Sequence, residues 1–403
     1  MNHIAADVLV VGAGPAGAAL SLRLARVGCS VVLLERSVFE EFRVGESLPP
    51  AAAARLQRLG VWEAFLKTCP APVHGVQSAW GTEELDSSSF LGDPLLNGWH
   101  LDRPLFDAML TSAAEYAGAR VFRHTCARDI EPPGSHWSVT ASSREGELRI
   151  HSRFLVDATG RSARLCRRIG IGRLRSDRLI GIAAIFPETS SREALPSRIE
   201  SHPLGWWYSA GLPDGRAIAI FFTDSDLSAR HGLTRPAALS RLLKDAPHTN
   251  ERLDAYVPTR SLQVFPAASH RLDRAAGDSW LAIGDAAIGR DPLSSSGIDF
   301  ALASAERASS VLCALADGGD ESINAYNTEV RADFAAYLRQ HRAYYAMERR
   351  WPNSPFWRRR HFTSAEGGSS DYSLHDSKAV GLEGRDGGLP IGIHSLPQAV
   401  PLK

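Results

Sequence analysis

The chain has 403 residues, of which 44% are hydrophobic and 22% are charged, so its composition excludes disordered, collagen-like and membrane-spanning classes and indicates a globular protein. Its 45 basic residues balance 45 acidic ones, and no overall field draws the molecule to nucleic acid or to an anionic membrane. We expect neither of these partners, and a small molecule or another protein instead.

The cysteines and the N-terminus indicate the compartment. Five widely spaced cysteines form no C-x-x-C pair, which predicts reduced thiols and no metal site. The N-terminus has no basic segment, and Asp7 and three glycines interrupt the apolar run that follows it. We therefore expect no signal peptide, no membrane span and a cytoplasmic location.

The hydrophobic pattern predicts a β-α-β unit at the very start of the chain, with buried strands over residues 7–11 and 29–34 and a helix over residues 15–27. Alternating runs such as residues 179–186 and 217–223 predict a largely antiparallel sheet. Elsewhere the pattern predicts helices that end near residue 59 or span residues 103–117, 236–245, 297–315 and 321–349, and strands over residues 120–123, 136–141, 154–157 and 280–283.

A glycine-rich turn lies between the first predicted strand and helix. It reads Gly12-x-Gly14-x-x-Gly17, and Glu35 ends the next strand. Glycines at this turn let a diphosphate approach the N-terminus of the helix, where free N–H groups and the helix dipole favour negative charge, and Glu35 would bind a ribose hydroxyl. The pattern predicts a dinucleotide site, but it does not distinguish FAD from NAD.

Two later segments bear on the choice of dinucleotide. Asp285 follows a buried strand, near the carboxyl edge of the sheet where ligands bind. Residues 291–298 then open a helix, and Ser296 and Gly297 are small enough for the backbone to approach a flat ring. The N–H groups of this helix could stabilise a reduced, anionic flavin.

Gly284-Asp285 resembles the Gly-Asp motif of flavoprotein monooxygenases of the p-hydroxybenzoate hydroxylase fold, in which the aspartate holds the ribityl chain of FAD. The run 157–161 resembles the middle motif of that fold, and Arg103 with Phe106-Asp107 resembles its flavin-contacting helix. The resemblance spans residues 7 to about 315 and implies FAD as the cofactor. The expected FAD-binding residues are Gly12, Gly14, Pro15, Ala16, Gly17, Glu35, Arg36, Arg43, Gly45, Ser47, Arg103, Asp157, Gly160, Gly284, Asp285, Pro292, Ser295, Ser296, Gly297 and Ile298.

The fold expected from these patterns is α/β, with a Rossmann-like FAD-binding domain, an inserted antiparallel-sheet substrate domain and a C-terminal helical region. We assign residues 1–80, 100–175 and 266–320 to the FAD-binding domain and residues 81–99 and 176–265 to the substrate domain. C-terminal helices are expected over residues 321–362, and an irregular tail over residues 363–403, where Gly, Ser, Pro and His dominate.

Two segments narrow the branch of the family. Residues 45–49 (Gly-Glu-Ser-Leu-Pro) and 205–209 (Gly-Trp-Trp-Tyr-Ser) are similar to segments of flavin-dependent tryptophan halogenases. Those halogenases use a lysine upstream of a tryptophan that aligns with Trp80, but residues 74–80 contain no lysine. Their W-x-W-x-I-P signature is also absent. Both departures count against halogenation.

The remaining combination, residues 45–50, 78–81, 98–103 and 291–295, is most similar to halogenase-like maturation flavoproteins, which build tryptophylquinone cofactors inside quinoprotein amine dehydrogenases and amino-acid oxidases. This resemblance implies an FAD-dependent monooxygenase whose C4a-hydroperoxyflavin hydroxylates a tryptophan side chain in a partner polypeptide, the precursor of a tryptophylquinone-bearing subunit. The cosubstrate would be O2, and the electrons would come from NAD(P)H or from a separate flavin reductase.

Candidate catalytic residues lie in the variable segments that this fold places over the flavin. A tryptophan in such a region is more often a core residue than part of a substrate cage, and a histidine beside a tryptophan is more often structural than a base. The run of arginines at residues 358–360 would suit protein docking, with a solvated face as the alternative. The catalytic candidates are Glu46, His74, Gln77, Trp80, His100, Trp206 and Tyr208.

Three other functions stay open at this point. One is hydroxylation or halogenation of a free small aromatic substrate, and another is an FAD-dependent prenyl reductase, which shares the glycine and Gly-Asp motifs. The third is a non-catalytic chaperone of dehydrogenase maturation.

Overall fold

The computed structural model describes residues 2–90, 97–131, 134, 136–144, 146–187, 196–253, 261–318 and 321–362, and the expected tail over residues 363–403 lies outside this range. Within it the helices are α1 (Pro15–Arg26), α2 (Ala52–Arg58), α3 (Trp62–Leu66), α4 (Arg103–Tyr116), α5 (Arg164–Arg168), α6 (Ser225–His231), α7 (Pro236–Lys244), α8 (Pro247–Leu253), α9 (Gly297–Ala316), α10 (Glu321–Met347) and α11 (Pro355–Phe362). None of these helices combines the length and apolar character needed to cross a bilayer.

The strands in the first half of the chain are β1 (Asn2–Val11), β2 (Val31–Leu34), β3 (Ser47–Leu48), β4 (Ala71–Val73), β5 (Gly75–Ala79), β6 (Asp86–Ser89), β7 (Gly98–His100), β8 (Arg120–Phe122), β9 (Cys126–Glu131), β10 (Trp137–Ser143) and β11 (Gly146–Asp157). Those in the second half are β12 (Arg173–Arg175), β13 (Leu179–Phe186), β14 (Ser197–His202), β15 (Gly205–Gly211), β16 (Ala217–Asp224), β17 (Gln263–Pro266), β18 (His270–Leu272), β19 (Ala276–Gly277), β20 (Trp280–Ala282) and β21 (Ile288–Gly289).

The first large sheet contains β1, the strand before the glycine turn. Its path is β19-β20-β11-β1-β2-β8, in which β20, β11, β1, β2 and β8 run parallel, and β10 and β9 extend it from β11. Strand β2 is buried throughout, as its unbroken apolar run predicts for a parallel strand covered on both faces. The carboxyl ends of β1, β11 and β20 therefore meet at one edge, and the Rossmann-like α/β fold is confirmed.

The second large sheet combines five strands from the segment after α5 with two earlier strands, β5 and β6. Its order is β17-β13-β16-β15-β14-β5-β6, antiparallel except where β5 runs parallel to β14. Because β5 hydrogen-bonds with β14, Gly75–Ala79 belongs to the second large sheet, whereas the sequence analysis assigned residues 1–80 to the FAD-binding domain. The boundary is displaced because the pairing partner, β14, lies more than a hundred residues along the chain and leaves no local signal.

The C-terminal helices connect the two sheets. The hydroxyl of Tyr326 on α10 donates to the Ala282 carbonyl in the first sheet. The indole of Trp357 on α11 donates to the His202 carbonyl in the second sheet. Helices α10 and α11 thereby fix the two halves relative to each other.

Candidate functional site

The glycine turn after β1 has the geometry that its spacing predicts. Gly12 has φ +105°, and a Cβ there would lie 2.3 Å from the Ala158 carbonyl oxygen. Gly17 is as tightly confined, because its Cβ would lie 1.9 Å from the Gly12 oxygen. Gly14 differs, since it has φ −69° as the N-cap of α1 and no atom of the chain lies within 4 Å of the position of a Cβ. The turn therefore leaves open space in front of the first N–H groups of α1.

Glu35 closes this turn from the end of β2. Its buried carboxylate accepts the Ala13 N–H at 2.9 Å and hydrogen bonds from Ser37. Burial opposes ionisation, but the bonds from Ser37 and Ala13 and the charge of Arg43 lower the pKa of Glu35. Arg43 also binds Asp107 at 3.0 Å. Glu35 is therefore an anion held by the backbone of the glycine turn.

The second wall of the site comes from the ends of β11 and β20. Asp157 accepts the Thr159 N–H at 2.9 Å and the Cys166 N–H at 2.9 Å, which orders the turn after β11. Gly284 has φ +55°, and a Cβ there would lie 2.9 Å from the Ala16 methyl group, so the turn after β20 packs against the start of α1. The neighbouring Asp285 forms an ion pair with Arg161 at 3.2 Å.

The third wall, which we call the flavin loop, comprises residues 291–297. Asp291 caps a short 3-10 helix in this loop by accepting the Leu293 N–H, and Ser295, which follows that helix, has φ +47°. Helix α9 begins at Gly297, where an added Cβ would meet no atom within 4 Å. Asp291 is buried and also accepts from Tyr345 at 2.8 Å and from His341 at 3.1 Å, both on α10. The loop is therefore held from behind by α10.

These three walls fit FAD. Gly14 and Gly297, the two glycines at helix N-termini, both face open space, and backbone N–H groups at such termini bind diphosphate and stabilise an anionic ring. The first turn of α1 carries no acidic residue that would repel a phosphate. Arg103 donates to the Gly45 carbonyl and forms a salt bridge with Asp107, so it connects the loop before β3 to α4. Arg36 is exposed.

A pocket with apolar and aromatic walls lies between the flavin loop and β14. Its walls come from distant parts of the chain, because β3 and β7 contribute alongside β14 and the flavin loop. The residues that line it are Ser47, Leu48, Pro49, Pro50, Val73, Val76, Phe90, Gly98, Trp99, His100, Ser197, Ile199, Leu293, Ser294, Ser295 and Tyr344.

Three of the predicted catalytic residues come together beside this pocket. His100 is buried, and its Nε2 lies 2.9 Å from the Ser197 hydroxyl. The Ser197 hydroxyl lies 3.4 Å from that of Tyr208, which is hydrogen-bonded to the buried carboxylate of Glu46. Burial and then the charge of Arg252 lower the pKa of His100 to about 4. Burial and then the charge of Glu46 raise the pKa of Tyr208.

The other four candidates do not line the pocket. His74 is exposed and pairs with Asn97, and the Gln77 amide oxygen accepts from Arg198. Trp80 and Trp206 are buried in the core of the second sheet, where their rings pack edge to face. Both indole N–H groups are satisfied there, by the carbonyl of Tyr344 and the hydroxyl of Tyr345.

The arginine run on α11 is divided between surface and interior. Arg360 is buried and pairs with Asp224 at 2.8 Å, and the exposed Arg359 pairs with Asp224 at 2.7 Å and with Asp226 at 2.6 Å. Arg358, the remaining member of the run, is also exposed. Arg359 and Arg360 anchor α11 to the end of β16 and the start of α6, so Arg360 is not available to the docking patch that the sequence suggested, whereas a docking role of Arg358 and Arg359 stays a prediction.

Comparisons with known proteins identify the family. The model of the FAD binding domain family matches residues 5–341. A relative from Marinomonas mediterranea, LodB, is named as an FAD-dependent oxidoreductase and is 32% identical over 365 residues, which cover 89% of this chain and 98% of LodB. A nucleotide-binding sheet with this glycine turn and flavin loop defines a flavoprotein. The chain belongs to the FAD binding domain family, and it is an FAD-dependent oxidoreductase.

Further relatives define the branch. The 1H-pyrrole-2-carbonyl-(peptidyl-carrier protein) chlorinase of Pseudomonas fluorescens is 28% identical over 338 residues, 75% of this chain and 74% of the enzyme. The solved structure of the peptidyl tryptophan dihydroxylase QhpG has TM-score 0.74 and 25% identity and covers 88% of this chain and 78% of QhpG. The chondrochloren halogenase CndH shares the fold, with TM-score 0.80, 24% identity and coverage of 89% of this chain and 86% of CndH.

Sequence reasoning missed two residues: Ser197, which lines the pocket, and Arg252, whose charge acts on His100 and Tyr208. Ser197 begins β14, and Arg252 on α8 donates to the carbonyls of Pro196 and Ser209. Neither belongs to a recognisable motif. The alternation of β14 could have placed Ser197 on the inward face of the sheet, but no local signal marks Arg252.

Proposed function

We propose that this chain is an FAD-dependent monooxygenase that hydroxylates a tryptophan side chain in a partner polypeptide, as a step in the formation of a tryptophylquinone cofactor. The observation that carries the proposal is the pocket between the flavin loop and β14. Trp99, Phe90 and Pro49 give it flat, apolar walls suited to an indole ring.

The pocket also argues against halogenation. The halogenases that the sequence resembles place a lysine between flavin and substrate, and no lysine is among the described residues that line this pocket. Lys67 ends α3 and Lys244 ends α7, and both are exposed. A protein substrate is further supported by two relatives, since QhpG is named for a peptidyl tryptophan and the pyrrole chlorinase for a carrier-protein-bound substrate.

Bound FAD, once reduced, supplies with O2 an electrophilic oxygen atom that an electron-rich ring can accept. The chain's own residues provide the rest. The open N-termini at Gly14 and Gly297 would hold the diphosphate and the ring edge, and Asp285 and Arg43 would orient the ribityl and ribose ends. Trp99 and Leu293 exclude water from the pocket, where each is more than nine-tenths buried.

The test combines the FAD-loaded protein, a reductant, O2 and a tryptophan-containing precursor of a quinone-bearing subunit, followed by mass spectrometry of the tryptic peptides. We expect one tryptophan to gain the mass of one or two oxygen atoms. The same precursor with that tryptophan changed to phenylalanine is the matched control, and free tryptophan tests the need for a polypeptide.

Two results would contradict the proposal. Oxygenation of free tryptophan with none on the precursor would assign a small-molecule hydroxylase. With chloride or bromide present, replacement of a ring hydrogen by halogen would restore the halogenase function that the relatives carry.

A further inference from the structure

The pocket between the flavin loop and β14 has apolar walls and a few polar side chains, and some of those side chains are already engaged. His100 and Ser197 pair with each other, with 2.9 Å between Nε2 and the hydroxyl oxygen. The Ser294 hydroxyl donates to the Asp291 carbonyl and lies 2.9 Å from the Ser296 hydroxyl. These groups therefore serve the chain's own hydrogen bonds.

Three other hydroxyl groups on the wall have no hydrogen-bond partner in the described part of the chain. They belong to Ser47, Ser295 and Tyr344, and because none of the three oxygens is enclosed, a ligand can reach them. The family resemblance assigns Ser47 and Ser295 to FAD. Tyr344 is therefore the residue that presents an accessible, unpaired hydroxyl to the pocket and has no expected cofactor contact.

The backbone around Tyr344 is held on both sides. Its own carbonyl accepts the Trp80 indole N–H at 2.9 Å. The hydroxyl of the next residue, Tyr345, donates to Asp291 at 2.8 Å and accepts from the Trp206 indole at 2.9 Å. This turn of α10 is thus fixed to the flavin loop and to the second sheet, and the Tyr344 side chain extends from a backbone of defined position.

The Tyr344 hydroxyl is a neutral group at physiological pH, since burial raises the pKa of Tyr344 above its ordinary value of about 10. A neutral phenol oxygen accepts hydrogen bonds as well as donating one. An indole ring has a single polar group, and that N–H group only donates. An accepting oxygen on the wall of an apolar pocket is the complement of such a ring.

The apolar walls alone could not recognise indole. Trp99 and Phe90 offer apolar surface to any flat ring that fits, because burial of apolar surface has no direction. A ring of the same size without an N–H group would bind these walls equally well. A hydrogen bond to one placed polar group supplies both the orientation and the discrimination that the walls lack.

We propose that Tyr344 is the specificity-determining residue of the pocket and that its hydroxyl oxygen accepts the hydrogen bond of the substrate's indole N–H group. This inference rests on the proposed function and deepens it, because it names the contact that selects tryptophan. The hydrogen bond fixes the rotation of the ring in its own plane, and so decides which ring carbon is presented for oxygenation. Tyr344 itself gains and loses no proton.

The first experiment measures binding without turnover. The FAD-loaded protein, with its flavin oxidised, is titrated with N-acetyltryptophan amide and with the benzothiophene analogue, in which sulfur replaces the ring N–H group. Ligand-observed NMR gives both dissociation constants for the wild type and for Tyr344→Phe, which keeps the aromatic ring. We expect Tyr344→Phe to shift the ratio of the two affinities against indole by roughly 3- to 10-fold, as the loss of one hydrogen bond does.

Two further variants serve as controls, at equal FAD content. Tyr116→Phe removes a hydroxyl from a residue that is 96% exposed at the end of α4, and the affinity ratio should stay that of the wild type. Ser47→Ala removes the competing hydroxyl on the opposite side of the assignment, and should also leave the ratio in place. An unchanged ratio in Tyr344→Phe, a shifted ratio in Ser47→Ala, or a wild type that binds neither probe would overturn the proposal.

The second experiment measures oxygenation of the precursor polypeptide with either tryptophan or benzothienylalanine at the target position. Tyr344→Phe should lower kcat/KM for the tryptophan precursor by at least the factor seen in binding, and should leave kcat/KM for the benzothienylalanine precursor close to that of the wild type. Equal losses on both precursors would indicate a packing defect and would overturn the role of Tyr344.

The two proposals fail in different ways. A wild-type protein that oxygenates no tryptophan, yet loses its preference for the indole probe in Tyr344→Phe, contradicts the proposed function alone. A wild-type protein that oxygenates the precursor, with an affinity ratio that Tyr344→Phe does not change, contradicts the role of Tyr344 alone.

Discussion

At the scale of single residues, Gly12 and Gly14 lie two positions apart in the same turn but are glycines for different reasons. At Gly12 the chain itself leaves no room, because a Cβ would lie 2.3 Å from a carbonyl oxygen and φ is +105°. At Gly14 the backbone conformation is ordinary and no atom of the chain lies within 4 Å. Of these two glycines, only Gly14 can therefore be substituted to test cofactor binding without disturbing the fold.

We expect Gly14→Ala to fold with a melting temperature close to that of the wild-type apoprotein, and to bind FAD at least about 10-fold more weakly, because the added methyl group occupies the approach to the diphosphate. Flavin fluorescence titration and thermal unfolding measure the two effects. Gly12→Ala is the control and should lose the fold. If Gly14→Ala binds FAD as tightly as the wild type, the diphosphate does not lie at this turn.

Some of the site residues could be predicted from the sequence and others could not. The glycine turn, Glu35 and Asp285 were predicted because each motif is short and lies at the end of a buried strand. The roles of Trp80 and Trp206 could not be assigned in advance, because a core tryptophan and a cage tryptophan have the same sequence pattern. Ser197 and Arg252 reach His100 only through sheet pairing and the packing of α8, so no local pattern could identify them.

At the scale of elements, α10 supports the flavin loop through Asp291. Burial opposes ionisation of this residue, but the hydrogen bond and charge of His341, the Leu293 N–H and the Tyr345 hydroxyl lower the pKa of Asp291. A lowered pKa means that the folded state favours the carboxylate, so this contribution to stability is present above the unfolded pKa of about 3.9 and is lost as the pH falls below it.

We therefore expect Asp291→Asn to reduce the free energy of unfolding by roughly 1–3 kcal/mol at pH 7, because hydrogen bonds to a buried charge are replaced by weaker ones. The difference from wild type should narrow as the pH falls below about 4. Urea unfolding of both proteins between pH 3 and pH 7 measures it. Asp214→Asn, at an exposed turn beside Arg216, should change stability by less than about 0.5 kcal/mol. A difference that is constant with pH would contradict this account of Asp291.

At the scale of the whole molecule, the site that fits FAD is assembled from distant parts of the chain. The glycine turn after β1, the turn after β11, the Gly284 turn and the flavin loop meet only because β1, β11 and β20 are neighbours in one sheet. The pocket adds β14 from the other sheet. Since α10 and α11 connect both halves, FAD binding should stabilise the first sheet and its border with the second sheet.

This assembly predicts a pattern of hydrogen exchange on FAD binding. At 100 times the dissociation constant, FAD should stabilise the folded state by about 2.7 kcal/mol. Exchange should slow at residues 12–17, 284–286 and 291–300, which lie far apart in sequence, and should not change in the interior of β16, whose eight residues are all buried. Mass spectrometry of exchanged peptides with and without FAD measures this, and Gly14→Ala at the same FAD concentration is the control. Protection at residues 12–17 without protection at the flavin loop would mean that the diphosphate and the ring do not bind to the walls assigned to them. Protection of the glycine turn and of the flavin loop in the wild type, with protection of neither segment in Gly14→Ala, would show that one ligand spans the turn and the loop.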